Sequence, residues 1–280
     1  MNKVLVRMLL FFIGLPLVLG LSLWDWGFYL PLAVVAIVVS SLGADETAAL
    51  LRRKDLQLDP VLPFFLGLLF PSLAYLENAH WINTDQTLVA VSVVIFVILI
   101  RQIFANTEEH LQPVMGKVAG IVFALIYPGL FLYYFLKINS LPDALLLTPI
   151  FLMATFGNDA WAWMFGTLWG KTSPKPFLVS PSKSLVGFAG GIIANFLVLI
   201  VAFFLFPGVL GRNFWMLLLL GLILGVTTIV GDLFESTLKR SAGVKDSGNL
   251  IPGRGGVLDS IDSLLFSAPV FYLFLQYGRF

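Results

Sequence analysis

Leu185-Val-Gly-Phe-Ala-Gly-Gly-Ile-Ile-Ala-Asn-Phe-Leu-Val-Leu-Ile-Val-Ala-Phe-Phe-Leu-Phe206 runs for 22 residues without a charge. As a helix it is long enough to cross a hydrocarbon core of about 30 Å, where every backbone N–H and C=O must find its partner inside the segment. Similar apolar runs recur along the chain: Val6 to Leu23, Phe28 to Leu42, Val61 to Leu76, Thr87 to Phe104, Gly116 to Leu136, Ala144 to Phe165, Phe214 to Leu233 and Leu258 to Tyr277. Together they predict an all-α polytopic transmembrane bundle of about nine helices. The third run is short and contains Pro71, which predicts a kink or a re-entrant turn. Residues 1–140 and 141–280 read as two halves of one membrane domain, the second carrying the catalytic site.

Composition agrees with lipid as the solvent. The 280 residues are 59% hydrophobic and 12% charged, with a mean hydropathy of +0.94, whereas soluble domains carry about 25% charged residues. A net charge of +1 argues against a nucleic-acid partner held by bulk electrostatics. The absence of cysteine excludes a disulfide, a thiolate nucleophile and a Cys-ligated metal. His80 and His110 stand alone in polar loops. Lys3 and Arg7 precede the first apolar run as in a signal peptide, but no small-x-small cleavage site follows, so the run reads as a retained helix ending at the interfacial Trp24-Asp25-Trp26.

Nine crossings put the N-terminus and segments 45–60, 105–115, 166–184 and 235–257 on one side. That side and its helix ends hold 14 of the 17 basic residues, leaving Lys137, Arg212 and Arg279 on the other. By the positive-inside rule the crowded side is cytoplasmic. The long polar segments therefore face the compartment that supplies nucleotides.

Charged groups within or beside the apolar runs are the candidates for chemistry. Asp159, in Gly157-Asn158-Asp159, lies inside the sixth run, and Asp232, in Val230-Gly231-Asp232, near the end of the eighth. A carboxylate at membrane depth marks a functional site or a structural interhelical hydrogen bond. Asp259 and Asp262 open the ninth run at i, i+3 spacing, which predicts one shared helical face. After the flexible Gly253-Arg254-Gly255-Gly256 they read either as ligands for a divalent cation or as ordinary acids of a first helical turn. Between Asp232 and Asp259, the run from Ser236 through Lys239, Arg240, Lys245 and Asp246 to Gly248 has the makings of a polyphosphate cradle, or of a plain positive-inside signal. A second polar loop, Gly166 to Gly187, carries Lys171, Ser180 and Lys183. Neither a P-loop nor a Rossmann fingerprint occurs.

The segment Ser236 to Asp262 resembles the signature of the phosphatidate cytidylyltransferase (CDP-diacylglycerol synthase) family. Ser236, Lys239, Arg240, Lys245, Asp246, Gly248, Pro252, Gly255, Gly256, Asp259 and Asp262 match it at the right spacing. Asn158-Asp159, Gly166, Gly170-Lys171, Ser180-Pro181, Lys183-Ser184 and Gly187 resemble that family's second block. Two positions depart: Arg254 stands where the signature has His, and Ser260 where it has Arg. An imidazole acid or base is thereby excluded at position 254, while Arg254 can still bind phosphate as a fixed charge.

The resemblance implies a multi-pass enzyme of the inner cell membrane, with active-site loops cytoplasmic, that joins CTP to phosphatidate and releases pyrophosphate. It implies Mg²⁺, with a second metal ion also compatible, and a homodimer. Asp232, Asp259 and Asp262 are the expected metal ligands. Lys239 and Arg240 are the expected catalytic cations; Lys171, Ser180, Lys183, Ser236, Lys245, Asp246, Arg254, Asn158 and Asp159 are expected to line the substrates. The competing expectations are a CTP-dependent lipid or polyprenol kinase, which releases CDP, and a secondary transporter, which usually shows related halves with paired broken helices.

Overall fold

A computed structural model describes residues 13–104 and 111–278. Val6 at the start of the first expected span, Lys3 and Arg7, His110 and Arg279 lie outside the described residues. Within them the secondary structure is helical, apart from two isolated bridges, Gly208 to Gly211 and Ile251 to Gly255.

The helices are α1 (Leu15–Ser22), α2 (Trp26–Arg52), α3 (Leu62–Gly67), α4 (Leu69–Asn78), α5 (Thr84–Arg101), α6 (Val114–Leu125), α7 (Phe131–Lys137), α8 (Ala144–Trp169), α9 (Leu185–Leu205), α10 (Phe214–Ser241) and α11 (Leu258–Gly278). A π-helical turn, Ile126–Leu130, joins α6 to α7 around Pro128, so the two act as one span, Val114–Ser140. Among the described residues, six helical segments are long and apolar enough to cross a membrane: α2, α5 with its 3-10 end, α6 with α7, α9, α10 and α11. The third expected span is two short helices that break between Gly67 and Leu69 rather than at Pro71. Gly67 sits against α2 so closely that a Cβ there would stand 2.6 Å from the Ser41 Cα, and Ser40 Oγ donates to the Gly67 carbonyl at 2.6 Å.

Two expected boundaries move. The run expected to end at Leu42 continues as α2 to Arg52. Its polar last turns are satisfied in place, with Asp45 paired to Arg52 at 3.4 Å and Glu46 turned inward. The eighth run, expected to end at Leu233, continues two turns to Ser241. Residues Ser236 to Ser241 are therefore helix, and the connection to α11 is residues 242–257.

α8 and α9 form the most extensive helix pair and α10 with α11 the next, while α9 also packs on α10 and α8 on α11. α11 sits at the centre, touching α2, α7, α8 and α10. Its seam with α10 is tight because Gly231 faces it: a Cβ there would lie 2.4 Å from the Asp262 carbonyl oxygen. The core where these helices meet includes Phe151, Leu217, Leu220, Leu224, Leu265 and Phe271. At the end remote from the connection, buried Glu77 of α4 is paired with Lys137 at 2.9 Å and accepts from Tyr133 and Thr87. On the loop before α3, Asp59 accepts N–H bonds from Val61 and Leu62 at 2.9 and 3.0 Å. Those two N–H groups, with Arg101 beside them, hold the Asp59 carboxyl below the usual range.

Candidate functional site

The site is built where α8, α10 and α11 meet beneath residues 170–184 and 242–257. A buried amide node sets the spacing of the first two. Asn195 of α9, with its carboxamide nitrogen toward α8, donates to the Ala154 carbonyl at 2.9 Å. Its oxygen accepts from Gly225 N of α10 at 3.1 Å and from Asn158 Nδ2 at 2.8 Å. Bonds of this kind in an apolar interior hold the three helices in one register.

Beyond this node on α8, α10 and α11 stand three carboxylates. Asp159 accepts from Ser263 Oγ of α11 at 3.0 Å. Asp262 is 7% exposed and accepts from Ser263 N at 2.7 Å. Asp232 of α10, Asp159 and Glu235 all lie within electrostatic range of Asp262. Below them Thr228 Oγ1 meets Ser267 Oγ at 2.9 Å, continuing the polar seam between α10 and α11. A cleft of about 470 Å³ opens over Asn158, Asp159, Lys183 and Asp232, with Trp163 and Phe188 among its apolar walls. Lys183, from the α8–α9 loop, forms an ion pair with Asp232, and Arg254 is close enough to Asp159 to act on its charge.

Asp259 does not join this cluster, although its i, i+3 spacing from Asp262 predicts a common face. It is turned back over the start of α11, where its Oδ2 accepts from Gly256 N, Ser247 N and Ser247 Oγ, each at 2.8 Å, as the acid of a capping box does. Its Oδ1 lies 2.5 Å from Lys239 Nζ. Lys239 is also paired with Glu235, one helical turn earlier and fully buried. With its ammonium engaged by two carboxylates and only 9% of the residue exposed, Lys239 ties the end of α10 to the start of α11.

The remaining expected residues fall into three places. Lys245, Asp246 and Arg254 line a hollow of about 220 Å³ in the α10–α11 connection. Exposed Arg240 braces the two loops together, donating to the Val179 carbonyl at 3.4 Å and the Val244 carbonyl at 3.3 Å. Ser180 and Ser236 are buried, the carbonyl of Ser180 accepting from Lys183 N at 3.1 Å, while Lys171 is exposed at the start of its loop. Arg254 Nε donates to the Asp259 carbonyl at 3.4 Å, and Ser260 Oγ to the Gly256 carbonyl at 3.4 Å. The two positions that depart from the family signature thus both brace the start of α11.

Sequence reading missed two acids. Glu235 lies within the same helical turns as Asp232 and Lys239, and its i, i+4 spacing from Lys239 was the available signal. Glu46 had none, because its partners are more than 200 residues away. Among the described residues, no three His, Asp or Glu side chains already converge on one point as metal ligands do. The cluster of Asp159, Asp232 and Asp262 nevertheless offers hard oxygen donors, which suit Mg²⁺.

Residues 5–278 match a family model described as the cytidylyltransferase family. The phosphatidate cytidylyltransferase of Bacillus subtilis (strain 168) is 34% identical over 241 residues, covering 85% of this chain and 87% of the relative. That of Staphylococcus haemolyticus is 34% identical over 197 residues, 70% of this chain and 71% of the relative. That of Aquifex aeolicus is 40% identical over 157 residues, 56% of this chain and 57% of the relative.

Proposed function

The chain belongs to the cytidylyltransferase family, and on that premise we propose that it condenses CTP with phosphatidate to give CDP-diacylglycerol and pyrophosphate. The observation that carries this reading is a cleft lined by Asp159 of α8 and Asp232 of α10, with Lys183 paired to Asp232 and Ser263, the neighbour of Asp262 on α11, bonded to Asp159. Carboxylates at membrane depth have to be paired or used, and a cation would serve them. Mg²⁺ is that cation in our reading, held by Asp232 and Asp262 with Asp159; Asp259 is already committed to Lys239 and three donors of the connection. When bound, Mg²⁺ neutralises the triphosphate and the pyrophosphate that leaves. The family resemblance is also compatible with a second metal ion.

The chain's own residues bring two anions together. A phosphomonoester carries about −1.5 to −2 charge at neutral pH, so the phosphatidate oxygen is already a nucleophile and needs no general base. It attacks the α-phosphorus of CTP; the new P–O–P bond forms as the bond from the α-phosphorus to the β-phosphate oxygen breaks. Lys183 supplies fixed positive charge at the cleft, and Arg254, Lys245 and Asp246 line the hollow of the α10–α11 connection, where the nucleotide has room. Trp163 and Phe188 give the cleft an apolar side suited to acyl chains. Lys171, Arg240, Ser180 and Ser236 shape the loops around it.

The same reading includes a cytoplasmic active-site face, from the basic asymmetry of the sequence, and location in the inner cell membrane as a homodimer, from the family resemblance. The test supplies labelled CTP, phosphatidate and Mg²⁺ to the detergent-solubilised full-length chain and identifies the small product. Pyrophosphate is expected. CDP in its place would make the protein a lipid kinase and overturn the proposal.

A further inference from the structure

Helix α11 carries Asp259 and Asp262, yet no side chain of its own sequence precedes it as a cap: Gly255, Gly256 and Val257 lead into Leu258. The first N–H groups of a helix need acceptors from elsewhere when they are buried. Here they are met by Glu46, which lies in α2 more than 200 residues earlier. Its Oε1 accepts from Val257 N at 2.8 Å and its Oε2 from Leu258 N at 2.9 Å. The same Oε2 meets Ser247 Oγ at 2.9 Å, and that hydroxyl also meets Asp259 Oδ2 at 2.8 Å. Ser247 has one proton to share between the two carboxylates, so Glu46 and Asp259 are linked through a single atom.

The connection is shaped to admit this carboxylate. A Cβ at Gly256 would lie 2.4 Å from Glu46 Oε2 and 2.2 Å from Ser247 Oγ, and one at Gly248 would lie 2.5 Å from Glu46 Oε1. Both glycines are therefore needed for close approach to a residue of the other half of the chain. Glu46 thereby fixes the α10–α11 connection to helix α2 of the N-terminal half.

We infer that Glu46 is a positioning residue of the active site, clamping the α10–α11 connection and the start of α11 so that Asp259 and Asp262 are held in working register. It touches neither the cleft nor the acid cluster, so it acts through Ser247, Val257 and Leu258. The inference rests on the proposed transferase reaction, and turnover of the wild-type chain with CTP and phosphatidate tests that reading separately.

The experiment compares wild type with Glu46→Gln, whose carboxamide sets an N–H₂ group against a backbone N–H at one of the two positions. A misplacement of about 1 Å in a reacting constellation can cost about 10²-fold in rate. We expect kcat to fall by roughly that factor, with KM for CTP within about threefold of wild type. Amide hydrogen exchange should rise at residues 247–258 while α8 and α9 keep wild-type protection, a local response that general destabilisation would not give. A kcat within threefold of wild type, or unchanged protection at 247–258, would overturn the inference. If Glu46→Gln does not fold, Glu46→Asp replaces it; it keeps both acceptor oxygens but withdraws them by about 1.5 Å, and the same two readouts decide with the same thresholds.

Discussion

Lys239 Nζ lies 2.5 Å from Asp259 Oδ1, so the last turns of α10 are bonded by charge to the first turn of α11 across a connection of sixteen residues, 242–257. With Glu235 on its other side, the single positive charge of Lys239 is shared between two largely buried acids. The cation that looks from sequence like a phosphate contact ties together the helices that carry Asp232 and Asp262.

Lys239→Met should therefore act on stability before chemistry. Removing one partner of a buried ion pair costs about 3–5 kcal/mol, and here it strands Glu235 without a counter-ion. Thermal unfolding in detergent, followed by tryptophan fluorescence, should show a large drop in midpoint. The double variant Lys239→Met/Glu235→Gln should recover part of it, because the uncompensated buried charge is gone. An unchanged midpoint in the single variant contradicts the structural assignment.

Asp232→Asn and Asp262→Asn should leave a folded protein that does not turn over. Loss of several kcal/mol of charge stabilisation at the reacting phosphates corresponds to about 10³-fold in rate. Pyrophosphate release is the measurement. Full activity in either variant would remove the acid cluster from the reaction.

Lys183 is only partly buried and faces the cleft through Asp232, so its loss should be felt by the substrates. A hydrogen bond to a charged group is worth about 1.5–3 kcal/mol. Lys183→Met should accordingly lower kcat/KM for CTP or phosphatidate by about 10- to 100-fold, with a melting midpoint near wild type. Steady-state kinetics varying each substrate in turn will show which one it serves. Wild-type values for both would exclude Lys183 from binding.

Gly231→Ala tests the α10–α11 seam. The added methyl would meet the Asp262 carbonyl at 2.4 Å, a backbone atom that cannot turn aside, and overpacking of this kind costs about 1–3 kcal/mol. Both the unfolding midpoint and turnover should fall, since the displaced backbone carries Asp262. Thr228→Val, which removes the hydroxyl bond to Ser267 and the local one to the Leu224 carbonyl, should cost about 0.6 kcal/mol on the scale of hydrogen bonds between membrane helices and leave turnover near wild type.

Much of this arrangement is legible without coordinates. Leu185 to Phe206 reads as a membrane helix and is one, to within a residue. Asp159, Asp232 and Asp262 stand out because a carboxylate in an apolar run has to be paired or used. The ends of α2 and α10 are less legible, since Asp45, Glu46 and Glu235 look like the start of a loop when their partners are unseen. Asp259 shows the limit of periodicity: helical spacing predicts which face a Cβ occupies, but in a first turn the side chain bends back to whatever unpaired N–H groups the preceding loop presents.

The sequence by itself determined that this chain is a helical membrane protein and that its candidate site residues fall within residues 158–262, because lipid tolerates only internally bonded backbone and penalises every stray charge. Tertiary structure alone decided which acid meets which cation. Asp259 goes to Lys239, Asp232 to Lys183, and Glu46 to the start of α11, since these pairings depend on how helices from distant parts of the chain pack. Their residues are separated by as many as 212 positions, a distance over which local spacing carries no information.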